Sequence, residues 1–85
     1  MNMLTIDCTQ LHDRAQLHRA LAETLCFPDW YGHNLDALYD CLSEIAASTV
    51  LCLKGWSTLG DWAQGFAETL TDASQENPCL LVLFE

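Results

Sequence analysis

Apolar residues recur along this chain with two different periods. Leu17, Leu21 and Leu25 fall every four positions, and Leu35, Leu38, Leu42 and Ile45 follow the mixed three-and-four spacing of one helix face. Asp13 with Gln16 three residues on makes a capping-box-like start for the first of these helices, and Pro28 ends it. Asn34 is a good N-cap for the second, which the pattern carries to about residue 46. A third stripe, Trp62, Phe66 and Leu70, predicts one more helix; Gly60 and Gly65 each weaken it by about 1 kcal/mol relative to alanine, and Asn77-Pro78 stops it. Residues 3–7 alternate weakly and are too few for a helix, so they read as a first strand ending near Cys8. Residues 49–53 and 79–84 are continuous apolar runs, the pattern of strands buried on both faces of a parallel sheet. The order strand, helix, helix, strand, helix, strand predicts a single small α/β domain over residues 1–85. Its three-stranded parallel sheet is packed with helices through right-handed crossovers.

With 85 residues, 51% of them hydrophobic, the chain is long enough to bury roughly 60 to 70% of the surface that it exposes when unfolded. Charge narrows the choice of partner. Twelve acids against Arg14, Arg19 and Lys54 give a net charge of −9, which repels nucleic acid and anionic lipid and attracts cationic proteins. Five cysteines, odd in number and mostly set in apolar runs, suit free thiols in a reducing compartment. No basic leader or membrane span is visible, and the expected location is cytoplasmic.

On a helical wheel Leu35, Leu38, Cys41, Leu42 and Ile45 share one arc of the second helix, while Asp36, Asp40 and Glu44 share another. Like charges at i, i+4 and i+8 each cost a few tenths of a kcal/mol, and no lysine or arginine occurs between Arg19 and Lys54 to relieve them. A solvated face and a binding surface both fit that pattern. The spacing adds one hint, since carboxylates one helical turn apart repeat at about 6 Å, close to successive phosphates in a single nucleic-acid strand. Asp36 lies in the first turn, where the helix dipole supports it; Asp40 lacks that support. Trp30 and Tyr31 fit a core by residue type, but their place just before a glycine and a helix start is where a rigid loop presents aromatic anchors.

Leu17-His18-x-x-Leu21, followed by Pro28-x-x-Tyr31-Gly32-x-Asn34-Leu35-Asp36-Ala37-Leu38-x-Asp40-Cys41-Leu42, resembles the barstar family, intracellular inhibitors of barnase-type ribonucleases. The resemblance implies a barstar-like fold and a loop and second helix that enter a nuclease active site. It puts Asp40 where a carboxylate meets the catalytic cations and Asp36 at a second interface acid. Trp30 takes the place of an interface tyrosine, and Gly32, Asn34 and Leu35 fall at contact positions. Tyr39 replaces a tryptophan. His33 stands where the family has an acid, Glu44-Ile45 replaces a glycine and a tryptophan, and either Asp72 or Glu76 falls near the family's distal-helix acid. The expected partner-binding set is therefore Trp30, Tyr31, Gly32, Asn34, Leu35, Asp36, Tyr39, Asp40 and Glu44, with His33, Asp72 and Glu76 at its margin. The partner is a basic ribonuclease, or, where those departures change the target, another cationic protein.

Other chemistry is set aside on residue grounds. Cys8-x3-His12-x5-His18 lacks a second close pair for zinc, so no metal or cofactor is expected. His18 lies on the apolar arc of the first helix, which suits a core histidine with a satisfied hydrogen bond. A Cys41–His33 pair would need a thiolate among apolar residues, and an enzyme built on Asp36, Asp40 and His33 would need a small-molecule pocket between them.

Overall fold

The computed structural model describes all 85 residues, Met1–Glu85. Strand β1 (Asn2–Asp7) leads through a short 3-10 turn to helix α1 (Arg14–Leu25), and α2 (Leu35–Ser43) follows. Strand β2 (Thr49–Lys54), two 3-10 turns at Trp56–Thr58 and Asp61–Ala63, helix α3 (Gln64–Glu76) and strand β3 (Leu80–Phe84) complete the chain. The sheet is all-parallel in the order β1-β2-β3, with Leu4 opposite Leu51 and Leu51 opposite Val82. This is the three-stranded parallel α/β architecture that the residue pattern predicts, and it agrees with the fold that the family resemblance implies.

Local chemistry sets the helix ends. Asp13 accepts a hydrogen bond from the Gln16 amide at 2.9 Å, and the Gln16 side chain reaches back to the His12 amide at 2.6 Å, one residue outside the usual capping box. α1 stops at Leu25, three residues before Pro28, because Cys26 turns into the left-handed region (φ 57°) and Phe27 donates back to the Ala22 carbonyl. α2 ends at Ser43, short of residue 46. Glu44 and Ile45 close it with a 3-10-type turn, their amides donating to the Cys41 and Leu42 carbonyls at 3.3 Å, yet Ile45 still packs on the core. Trp62 sits in the 3-10 turn ahead of α3, although its ring meets Phe66 edge-on at 6.1 Å as the stripe implies.

One core holds the layers together. Leu17 and Leu21 of α1, Leu38 and Leu42 of α2, and Phe66, Leu70 and Ala73 of α3 pack on Ile6, Leu51, Leu53 and Leu80 of the sheet. The central strand β2 is buried on both faces over Leu51, Cys52 and Leu53. β3 is not: its apolar run alternates, with Leu80 buried and Leu81 53% exposed, which corrects the expectation of burial on both faces. All three helices cover the same side of the sheet, so the alternate residues of β3 have nothing from this chain above them. After β2 the chain turns at Gly55 (φ 71°), where an added Cβ would also lie 2.6 Å from the Thr9 methyl; that backbone and that contact both require glycine.

Candidate functional site

The loop before α2 is held from both ends. The Tyr31 amide donates to the Pro28 carbonyl at 2.9 Å, closing a turn, and the Tyr31 ring then goes inward. It is 5% exposed, packs against Phe27 at 4.9 Å, and its hydroxyl lies 2.6 Å from Nδ1 of buried His18. His18 is thus the satisfied core histidine expected of its position, and Tyr31 is its partner. The two loop aromatics part here. Trp30 is 73% exposed and Tyr31 is a core side chain, so the picture of two exposed anchors is corrected to one. Adjacent residues on a tight turn point in opposite directions, and only the one facing α1 finds a buried polar partner.

Gly32 and Asn34 set the helix start. Asn34 Oδ1 accepts from the Ala37 amide at 2.8 Å, capping α2, while its Nδ2 donates to the Gly32 carbonyl at 3.2 Å. Between them His33 adopts φ 52°, a backbone that few non-glycine residues take, and its ring lies 5.0 Å from Tyr31 and 5.7 Å from His18. The three rings make one cluster under the loop.

From that rigid start α2 presents Asp36, Asp40 and, at its C-cap, Glu44, all exposed, while Leu38, Cys41 and Leu42 are buried beneath them. Trp30, Gly32, Ala37, Tyr39, Asp40, Ser43 and Glu44 line a shallow cleft of about 480 Å³. Two carboxylates and an indole share it with no basic side chain. Ser43 and Ala37 were not among the expected residues, although the wheel places Ser43 one turn from Asp40. Leu35 is 36% exposed and lies outside this cleft. It lines, with His33, Asn34, Arg14, Asp61 and Trp62 among others, a second opening of about 420 Å³ on the other side of the loop. Asp36 lines neither. Asp72 is on the outer face of α3, beside Gln64, Glu68 and Thr71. Glu76 is the last residue of α3 and directly precedes Asn77, whose side chain bonds the Leu42 and Ile45 carbonyls at the C-terminus of α2. The fold therefore brings the Glu76 end of α3, not the middle, against the end of the acidic helix.

Electrostatics around the site disfavour covalent chemistry. Burial, with Glu44 and Asp40 behind it, pushes the Cys41 thiol up from its ordinary value, so it stays protonated. The other cysteines are also free thiols; Cys8 is held up to about 11 by burial and by Asp7, and Cys26 is exposed. No group of three His, Cys, Asp or Glu side chains is arranged to hold a metal ion. No helix is long and apolar enough to cross a membrane.

The His18–Tyr31 contact makes a measurable prediction. Burial, and next to it His33, lowers the His18 pKa from 6.5, so the folded chain holds the ring neutral more strongly than the unfolded chain does. The stability this gives is present above pH 6.5 and is lost as the pH falls from there through the lowered folded value. Urea midpoints measured across that range should decline on the acid side, and His18→Gln should flatten the decline. Tyr31→Phe leaves the buried Nδ1 without its partner and is expected to cost about 1–3 kcal/mol in the same assay. A Tyr31→Phe variant as stable as the parent would mean that the bond contributes nothing.

A family model described as Barstar (barnase inhibitor) matches residues 1–80 of the chain. The chain is also similar to a protein of Bacillus subtilis (strain 168) named "Putative ribonuclease inhibitor YrdF", with 36% identity over 81 residues and 89% of each chain covered.

Proposed function

The chain belongs to the barstar family, and from that premise we propose that it inhibits a small basic ribonuclease by closing the nuclease's active site with the 30–34 loop and the acidic face of α2. The observation that carries this reading is the cleft that sets Asp40 and Glu44 beside exposed Trp30 with no base among its lining residues. A cationic active site supplies the counter-charges that this surface lacks. Asp40, at the middle of the helix and inside the cleft, enters among the catalytic cations; Asp36, in the first turn, lies toward the rim. Trp30 packs flat against the partner's apolar edge, the role in which aromatic side chains contribute most to interfaces. Because the loop is already fixed by Tyr31 and Asn34, little ordering cost falls on binding.

In this reading the row of exposed carboxylates and the indole form a binding surface, and the chain acts as a binder. Net charge of −9 argues against direct nucleic-acid binding, and five free cysteines suit action in the cytoplasm. The charge also steers a basic partner toward the complex, an effect that salt screens within about 8 to 10 Å.

Titrating the chain into a barnase-type ribonuclease assay at low and at moderate salt tests the reading. Inhibition should be complete at one equivalent, and added salt should mainly slow its onset. Full nuclease activity at both salts would remove barnase-type enzymes as the target. His33, whose ring lies tilted 5.0 Å from Tyr31 at a position where the family resemblance has an acid, favours a second reading in that event: an immunity or adaptor protein for a different cationic partner.

A further inference from the structure

The loop that the proposed function sends into the nuclease carries a histidine at its centre. His33 adopts φ 52°, and the Asn34 side chain brackets it: Nδ2 donates to the Gly32 carbonyl at 3.2 Å and Oδ1 caps α2 at the Ala37 amide. Those bonds fix the backbone on both sides of the residue. The imidazole lies 5.0 Å from the Tyr31 ring and 5.7 Å from His18, so it packs against the loop. It is nonetheless exposed, and it lines the opening of about 420 Å³ on the side of the loop away from Asp40, where water reaches it. The ionisable groups that face it come from several elements. α1 supplies Arg14 and His18, the loop Tyr31, and the 3-10 turn ahead of α3 supplies Asp61, the one carboxylate that lines the opening. α3 turns no charged side chain toward the opening, and on α2 the nearest charge along the chain is Asp36, which lies outside it. Burial, and after it the charge of His33, keeps the His18 ring neutral, so the exposed ring is the one through which acid acts on the loop.

We infer that His33 is a proton-operated release on the inhibitory loop: with its imidazole neutral, the loop and α2 accept a cationic nuclease, and with it protonated, the loop presents a cation to that partner and weakens the complex. The inference rests on the proposed function, which makes the partner cationic and brings it onto this loop. Histidine is the side chain that gains a charge between about pH 8 and about pH 5. In the free chain an added cation at residue 33 is tolerated, because the net charge is −9. In the complex the nuclease cations that Asp40 and Glu44 attract sit on the other side of the same loop, inside the range of about 8 to 10 Å over which salt leaves charges coupled. They repel an imidazolium there, Arg14 adds to the repulsion, and Asp61 alone among the lining residues opposes it. The free chain therefore binds more protons than the complex does, and affinity falls as the pH falls.

Affinity for a barnase-type ribonuclease, measured by calorimetry at about pH 7.5 and about pH 5.5, tests the inference with the parent, His33→Asn and His18→Gln side by side. Asparagine tolerates the left-handed backbone that residue 33 adopts and carries no charge. Far-UV circular dichroism at both pH values checks that each chain is folded, and His33→Gln takes the place of His33→Asn if that variant is not. Titration of the nuclease itself and of the carboxylates on α2 is common to all the chains, so the readout is the ratio of parent to variant affinity. Acid should weaken the parent by about 3- to 10-fold more than it weakens His33→Asn, and His18→Gln should follow the parent. Equal weakening of the parent and His33→Asn overturns the inference while leaving the proposed function standing. An acid effect lost in His18→Gln and kept in His33→Asn also overturns it, since the effect then belongs to the buried ring. A parent that binds at neither pH removes the proposed function, and this inference with it.

Discussion

Replacing Asp40 by alanine is expected to weaken binding to a cognate nuclease by about 10² to 10⁴-fold, while leaving the stability of the free chain within about 0.5 kcal/mol. In the free chain the carboxylate is exposed on α2, so its loss disturbs no internal partner. If anything, removing one of three like charges at i, i+4 spacing relieves a few tenths of a kcal/mol. In the proposed complex the same carboxylate lies among the nuclease's cations, out of water. Truncation then strands buried positive charge, and breaking a desolvated pair costs about 3–5 kcal/mol. Asp36→Ala should cost far less, because Asp36 lies outside the Asp40–Glu44 cleft and its charge stays close to solvent. Calorimetric or kinetic affinities for the two variants decide the matter. Equal losses, or an Asp40→Ala chain that binds like the parent, would place the plug elsewhere.

Asn77→Ala is the substitution expected to damage the fold most among the polar ones, by about 2–4 kcal/mol. Asn77 is buried, and its side chain ties three segments together. Nδ2 donates to the Leu42 carbonyl at 2.9 Å and to the Ile45 carbonyl at 3.0 Å, and Oδ1 accepts from the Cys79 amide at 2.9 Å. Leu42 and Ile45 are at the end of α2, where helix carbonyls run out of partners, so Asn77 acts as a C-terminal cap supplied from 35 residues away in sequence. Alanine leaves the Ile45 carbonyl and the Cys79 amide without these partners, and the Leu42 carbonyl keeps its bond from the Ile45 amide. Urea unfolding should show the loss as a lower midpoint. Because the clamp positions the acidic helix, the folded variant should also bind its nuclease more weakly. A loss below about 1 kcal/mol would mean that the carbonyls find other partners.

Those two residues show what sequence reading reaches. The acidic row was legible because a helix converts spacing into a face: Leu38, Cys41 and Leu42 must turn inward, so Asp36 and Asp40 must turn out. The same logic placed His18 in the core, and short-range chemistry at Asp13, Asn34 and Asn77-Pro78 placed the helix boundaries to within a few residues. Asn77 as a clamp was not legible, since its partners lie in another helix and no local pattern links them. Nor was the fate of Tyr31. Trp30 and Tyr31 are neighbours of similar chemistry, and only the turn closed on Pro28 and the buried nitrogen of His18 decide which ring goes in. Residues 79–84 misled for a related reason. A continuous apolar run is consistent with burial on both faces, but whether a second layer exists depends on where the crossovers lie, and here they all lie on one side.

In the proposed complex the 30–34 loop and α2 close the nuclease site. Backbone hydrogen exchange of the chain, alone and in a one-to-one mixture with a ribonuclease it inhibits, reads that surface out residue by residue. New protection is expected at residues 30–44, with the strands and the outer face of α3 unchanged. Protection on the sheet or on α1, with the loop and α2 exchanging as in the free chain, would contradict it.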